Sequence, residues 1–193
     1  MTTRAGFAAI IGAPNAGKST LTNRLVGAKV SIVTQKVQTT RFPVRGVAMA
    51  GAAQIILVDT PGIFSPRRRL DRAMVRSAWG GADEADTIVH LVDSVAELAA
   101  GAPGAKSADK RSAIDVVTIV EGLQRSGKKA ILALNKIDGM SRDTLLALAQ
   151  RLFETGVYSE VFMISAADGQ GVDDLKARLA ALTPAALAKE PLN

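Results

Sequence analysis

The chain of 193 residues carries a formal net charge of +6, is 48% hydrophobic and 4% aromatic, and has no cysteine. This length suits one α/β domain with a real core; the missing cysteine excludes disulfide staples and thiolate metal sites, and no apolar run reaches the ~20 residues needed to cross a bilayer. The basic excess is mild, and its densest part, SPRRRLDRAMVR (65–76), reads as arginines on a solvated helix start before it reads as a phosphate-binding patch.

The opening, MTTRAGFAAI, runs into an apolar strand pattern too early for a signal peptide, so a soluble, cytoplasmic chain is expected. In chain order, FAAIIG (7–12) predicts a strand and 18–27 a helix. FPVRGVAMAG (42–51) then runs into AQIILVD (53–59) with no room for a helix between them, which predicts an antiparallel hairpin. A helical pattern at 71–80 precedes the strand TIVHLVD (87–93). The Ala-, Gly- and Ser-rich segment 94–112 reads as a long surface loop, mobile or partly helical. Helices are expected at 113–126, 141–155 and 172–182, separated by the strands KAILALN (129–135) and EVFMIS (160–165). The strand runs are continuously apolar rather than alternating, as in parallel strands buried on both faces. The fold class expected is α/β: a six-stranded, mostly parallel sheet with one antiparallel strand and helices on both faces.

Binding loops in such a sheet belong at the carboxyl ends of the strands, and every motif falls there. Between the first strand and helix lies GAPNAGKST, comprising Gly12, Ala13, Pro14, Asn15, Ala16, Gly17, Lys18, Ser19 and Thr20. This is the spacing and context of the phosphate loop of P-loop NTPases. Gly12 permits the tight turn, Gly17 lets backbone N–H groups approach phosphate, Lys18 reaches the β and γ oxygens, and Ser19 offers its hydroxyl to Mg²⁺. DTPG follows, with Asp59, Thr60, Pro61 and Gly62 ahead of Ile63. Asp59 is placed to support Mg²⁺ through its water shell and the Gly62 N–H to meet a γ-phosphate.

A phosphate loop serves ATP and GTP alike, and NKID (Asn135, Lys136, Ile137, Asp138) separates them. The Asp138 carboxylate can accept both N1–H and N2–H₂ of guanine, a pair that adenine cannot make. Asn135 can tie this loop to the phosphate loop, and the Lys136 stem can cover the base plane. In SAAD, which starts at Ser165, that hydroxyl can steady Asp138 and the Ala166 N–H can face the guanine carbonyl, with Ala167 beside it. The base expected is guanine. The single histidine, His90, within IVHLVD, is expected in the core.

Together GAPNAGKS, DTPG, NKID and SAA resemble the translation-factor-related class of small GTPases. SIVTQKVQTTRFPVRG (31–46), with its QTTR, is similar to the first switch of the Era family of bacterial ribosome-assembly GTPases. The resemblance spans about residues 5–183. It implies a GTP/GDP switch in small-subunit assembly and 16S rRNA maturation, a GTPase (G) domain at 1–183, and a tail or linker start at 184–193. It also implies Mg²⁺ held by Ser19, Thr40 and Asp59, with Thr40 preferred over Thr39 as the switch hydroxyl, and catalysis by Lys18, Thr40 and Gly62. Asn15 matches the asparagine with which potassium-dependent relatives ligate K⁺ beside the phosphates; an asparagine that only stabilises the loop is the alternative. Ile63 stands where Ras-like enzymes carry the glutamine that orients water. The family further implies a monomer, peripheral association with the inner membrane, and an RNA-binding KH domain with a GXXG loop. No such loop follows residue 183, so specific rRNA binding by this chain alone is not expected.

Other functions compete with this one. The chain also fits the GTPase domain of a related tRNA-modifying or tandem-domain ribosome GTPase, which QTTR disfavours. NKID argues against a phosphate-loop kinase, whereas Ile63 keeps open a guanine-nucleotide-binding module that does not hydrolyse.

Overall fold

The computed structural model describes residues 4–27, 44–58 and 85–184. The strands are β1 (Arg4–Gly12), β2 (Val44–Ala50), β3 (Ala53–Val58), β4 (Thr87–Asp93), β5 (Ala130–Asn135) and β6 (Tyr158–Met163). The helices among the described residues are α1 (Lys18–Val26), α2 (Ser94–Ala100), α3 (Ser107–Ser126), α4 (Arg142–Phe153) and α5 (Val172–Leu182). The six strands form one sheet in the order β2-β3-β1-β4-β5-β6. All neighbours pair in parallel except β2 with β3, which are antiparallel. The expected sheet is therefore present. The helix expected at 71–80 lies outside the described residues, as do 42–43 of the hairpin.

Side chains alternate between two covered faces. Ile88, Val92, Leu132 and Leu134 pack under α3 and α4 with Ile119, Leu123, Leu148 and Leu152. Ile10, Leu91, Ile131 and Ala133 pack on the other face against Leu21 and Leu25 of α1 and Leu175 and Leu179 of α5. This two-sided burial is why β5 is buried along its whole length and why its sequence shows no polar alternation. His90 is fully buried as expected; its Nδ1 lies 2.8 Å from the Tyr158 hydroxyl, and desolvation lowers its pKa to about 3.

The segment 94–112, expected as a surface loop that is mobile or partly helical, carries helix over Ser94–Ala100 and again from Ser107. Asp93 caps α2, its Oδ1 accepting the Ala96 N–H at 3.0 Å. Glu97 of the first turn pairs with Arg151 on α4 at 3.0 Å. Alanine and leucine are good helix formers once a cap is present. The actual connection is Gly101–Lys106, with Gly104 at φ 75. β6 begins and ends two residues before the expected 160–165, which leaves Ser165 in the loop beyond the strand. Among the described residues no helix is long and apolar enough to cross a membrane.

Candidate functional site

The phosphate loop sits where β1 turns into α1. Gly12 ends the strand, and a Cβ there would come within 2.6 Å of the Leu91 carbonyl oxygen, so only glycine lets β1 finish against β4 at this depth. The Ala16 N–H donates to the Ala13 carbonyl at 3.1 Å and closes the turn. Asn15 and Gly17 both take left-handed backbone angles, φ 67 and 104, which glycine and asparagine tolerate best. Such left-handed residues fold successive amides into a concave anion nest.

α1 then starts at Lys18 with no side-chain cap and no acidic residue in its first turn. Its leading N–H groups and the positive end of its dipole are thus left for an outside anion. Lys18 is half-buried, and its Nζ donates to the Gly12 carbonyl at 3.1 Å, so its charge is held at the loop. Ser19 and Thr20 are exposed beside it. Mg²⁺ in nucleotide sites is held by few protein groups together with phosphate oxygens; an exposed Ser19 hydroxyl at this helix start fits that arrangement.

The second part of the site is built at the end of β5. Asn135 is 2% exposed and spans two loops: its Nδ2 donates to the Ala16 carbonyl at 2.8 Å, and its Oδ1 accepts the Ala166 N–H at 2.9 Å. Lys136, at φ 63, reaches across to the phosphate loop, where its Nζ donates to the Asn15 carbonyl at 3.0 Å and to Asp93 Oδ2 at 2.7 Å. Its aliphatic stem therefore lies between the base loop and the phosphate loop, where it can cover a purine face. Ile137 is buried and Asp138 exposed. The Ile137 N–H bonds the Ile164 carbonyl at 3.4 Å, and the Met140 N–H bonds the Ile137 carbonyl at 3.0 Å, which fixes the turn that presents Asp138.

Two expected details differ. The Ser165 hydroxyl is buried without a hydrogen-bond partner, so it does not hold Asp138. Ser165 lies in the loop beyond β6 and is buried there. The Ala166 N–H is held by Asn135 rather than presented to a base. Thr40, Asp59, Thr60, Pro61, Gly62 and Ile63 lie outside the described residues.

Sequence reasoning also missed two contributors. Asp93 neutralises Lys136 and caps α2, and Arg24 of α1 binds the carbonyls of Ala166 and Ala167. Asp93 had a local signal, an aspartate ending a strand before a helix-forming run. Arg24 had none, because its partners lie 142 and 143 residues away.

Residues 7–136 match the family model described as 50S ribosome-binding GTPase. The chain belongs to that family. It is 71% identical over 182 residues to GTPase Era of Caulobacter vibrioides, a match covering 94% of this chain and 58% of that protein. The same fold occurs in a variant of Aquifex aeolicus Era bound to GDP·AlF₄⁻, with TM-score 0.66 and 32% identity over 98% of this chain and 60% of that one. An Era structure in complex with MgGDPNP and nucleotides 1506–1542 of 16S ribosomal RNA matches with the same TM-score, identity and coverage. The resemblance read from the motifs thus holds along most of the chain. The chain spans 58% of the length of the curated relative.

Proposed function

We propose that the chain binds GTP with Mg²⁺, hydrolyses it to GDP and phosphate, and acts as a nucleotide-dependent switch in the assembly of the small ribosomal subunit. The observation that carries the nucleotide part is Asn135: one buried amide joins the phosphate loop to both loops that would enclose the base. That bridge fits a ligand with phosphate at one end and a purine at the other. Asp138, exposed at the mouth, supplies the acceptor pair that selects guanine.

In hydrolysis, water attacks the γ-phosphorus in line as the bond to the β,γ-bridging oxygen breaks, and GDP leaves. Lys18 and the α1 amides neutralise the charge that builds on the phosphate oxygens. Ser19, Thr40 and Asp59 are the proposed holders of Mg²⁺, which when bound would supply further charge neutralisation at the phosphates. Gly62 and Thr40 are the proposed reporters of the γ-phosphate to the switches. Ile63 has no group to orient water, so unassisted turnover is slow. Asn15 is the proposed K⁺ ligand; its left-handed backbone at the loop crest is compatible with that role. The ribosomal role is supported by Era, which is found with 16S rRNA. The family's monomeric state and peripheral membrane association belong to the same reading.

Single-turnover phosphate release tests it. The expected rate is on the order of 10⁻⁴ to 10⁻² s⁻¹ with Mg·GTP, higher in K⁺ than in Na⁺, with no turnover of ATP. GTP binding without phosphate release would leave a non-hydrolysing guanine-nucleotide module. Equal rates in K⁺ and Na⁺, unchanged in Asn15→Ala, would remove K⁺. Co-sedimentation with small ribosomal subunits, compared between GDP and a non-hydrolysable GTP analogue, tests the assembly role.

A further inference from the structure

We propose that Arg24, which lies outside every nucleotide motif, is a positioning residue for guanine specificity: it turns the Ala167 amide toward the base carbonyl. The inference rests on the guanine reading above and extends it to a residue on the far end of α1.

The last loop of the site is nearly closed on itself. The Ser165 N–H bonds the Gln170 carbonyl at 2.9 Å, the Gly169 N–H bonds the Ser165 carbonyl at 2.8 Å, and the Gln170 N–H bonds Asp168 Oδ1 at 2.9 Å. It is gripped from outside by Asn135 at the Ala166 N–H and by Arg24 at the carbonyls. Arg24 Nε donates to the Ala166 carbonyl at 3.1 Å and Nη2 to the Ala167 carbonyl. The guanidinium also lies over Gly169, where an added Cβ would be 3.5 Å from Nη1 and 3.6 Å from Cζ. A planar fork of donors matches two successive carbonyls, which a lysine ammonium cannot do in the same geometry.

The consequence for the base follows from peptide geometry. The Ala166 N–H is committed to Asn135, so the first amide that can serve a ligand is that of Ala167. No peptide bond among the described residues is cis, and across a trans peptide the N–H points opposite to the preceding carbonyl. Holding the Ala166 oxygen toward α1 therefore turns the Ala167 N–H away from α1, on a residue that is exposed. An amide N–H aimed at position 6 of a purine donates to the guanine carbonyl oxygen and meets a like donor in adenine. Arg24 belongs to the helix that begins with Lys18, so one element ties the phosphate contact to the carbonyl contact.

The test uses the 193-residue chain as wild type, Arg24→Ala and Arg24→Lys, with GDP, ADP, IDP and 6-thio-GDP as probes. IDP lacks the 2-amino group and reports on Asp138. In 6-thio-GDP the N1–H and 2-amino group remain but position 6 is a weaker acceptor, so it reports on the loop amide. Wild type should prefer GDP to 6-thio-GDP. In Arg24→Ala, GDP affinity should fall about tenfold, near the loss of one hydrogen bond, and the GDP to 6-thio-GDP preference should collapse while the GDP to IDP preference stays. Arg24→Lys keeps the charge without the fork and should behave like the alanine variant. Three outcomes overturn the proposal: wild type does not distinguish GDP from 6-thio-GDP, both preferences fall together, or lysine restores the wild-type ratio. If wild type fails to distinguish GDP from ADP, the guanine reading falls and this inference with it; GDP-selective wild type with unaltered Arg24 variants overturns the inference alone.

Discussion

The side-chain amide of Asn135 donates from Nδ2 to the Ala16 carbonyl oxygen across 2.8 Å, joining the end of β5 to the phosphate loop. The same amide receives the Ala166 N–H on Oδ1, so phosphate loop, base loop and last loop share one polar joint. Asn135→Ala leaves a buried carbonyl and a buried N–H without partners; Ala16 and Ala166 are each 1% exposed. Each orphan costs about 1–3 kcal/mol, and a chain of this size loses about 2–4 °C of Tm per kcal/mol. The variant should melt at least about 4 °C below wild type and bind guanine nucleotide much more weakly. A thermal melt and a GDP titration check both; an unchanged melting curve would show that the joint carries no stability.

Gly17 tests the same joint from the opposite side. Its φ of 104 already disfavours any side chain, and a Cβ there would overlap Asn135 Nδ2. Gly127, at φ 69 with nothing within 4 Å of an added Cβ, carries only the backbone cost. Gly127→Ala should thus lose roughly 1–2 kcal/mol and keep nucleotide binding, whereas Gly17→Ala should lose more stability and lose nucleotide binding. Urea unfolding and a GDP titration on the two variants make the comparison, and equal losses in both would contradict the close approach.

The contrast between these glycines also shows what the sequence makes legible. The strands could be read because parallel strands covered on both faces need long apolar runs, as AILALN at 130–135 shows. The phosphate and base loops could be read because their chemistry fixes residue types at short spacing. The bounds of α2 were missed because its residues SVAELAA lack bulk, and the cap that makes them helical is the Asp93 carboxylate just before them. The fate of the Ala166 N–H depends on Asn135, 31 positions away. Partnerships of that kind leave no local pattern.

His90 gives a pH test away from the site. It is fully buried beside Tyr158, and burial holds its pKa at about 3 against 6.5 in an exposed chain. The folded protein thus keeps His90 neutral while the unfolded chain takes up a proton below about 6.5. Stability from this residue is complete above that pH and is lost as pH falls toward 3, by up to about 1.4 kcal/mol per pH unit. His90→Gln retains a polar partner for the Tyr158 hydroxyl and cannot titrate. Urea unfolding between pH 4.5 and 7, chosen as roughly the span over which linkage acts, should show a shallower decline in the variant. Parallel declines would rule out His90 as the source.

Asp138 decides the base. The Ile137 and Met140 amides fix the turn around it, and its carboxylate stands exposed at the mouth of the site. A carboxylate there gives guanine two charge-assisted hydrogen bonds, each worth roughly 1.5–3 kcal/mol, so losing both should weaken GDP binding by about a hundredfold or more, at ~1.4 kcal/mol per tenfold. Asp138→Asn exchanges one acceptor for a donor. The guanine 2-amino group then faces a like donor, whereas xanthine offers a carbonyl at that position and can accept. The variant should therefore prefer XDP to GDP, with Lys18 and the α1 amides still available to the phosphates, and ADP should stay poor in both proteins. Competition titrations with the three diphosphates read this out directly. A variant that keeps its GDP preference, or a wild type that takes ADP as well as GDP, would mean that NKID does not read the base, and only the phosphate end of the assignment would survive.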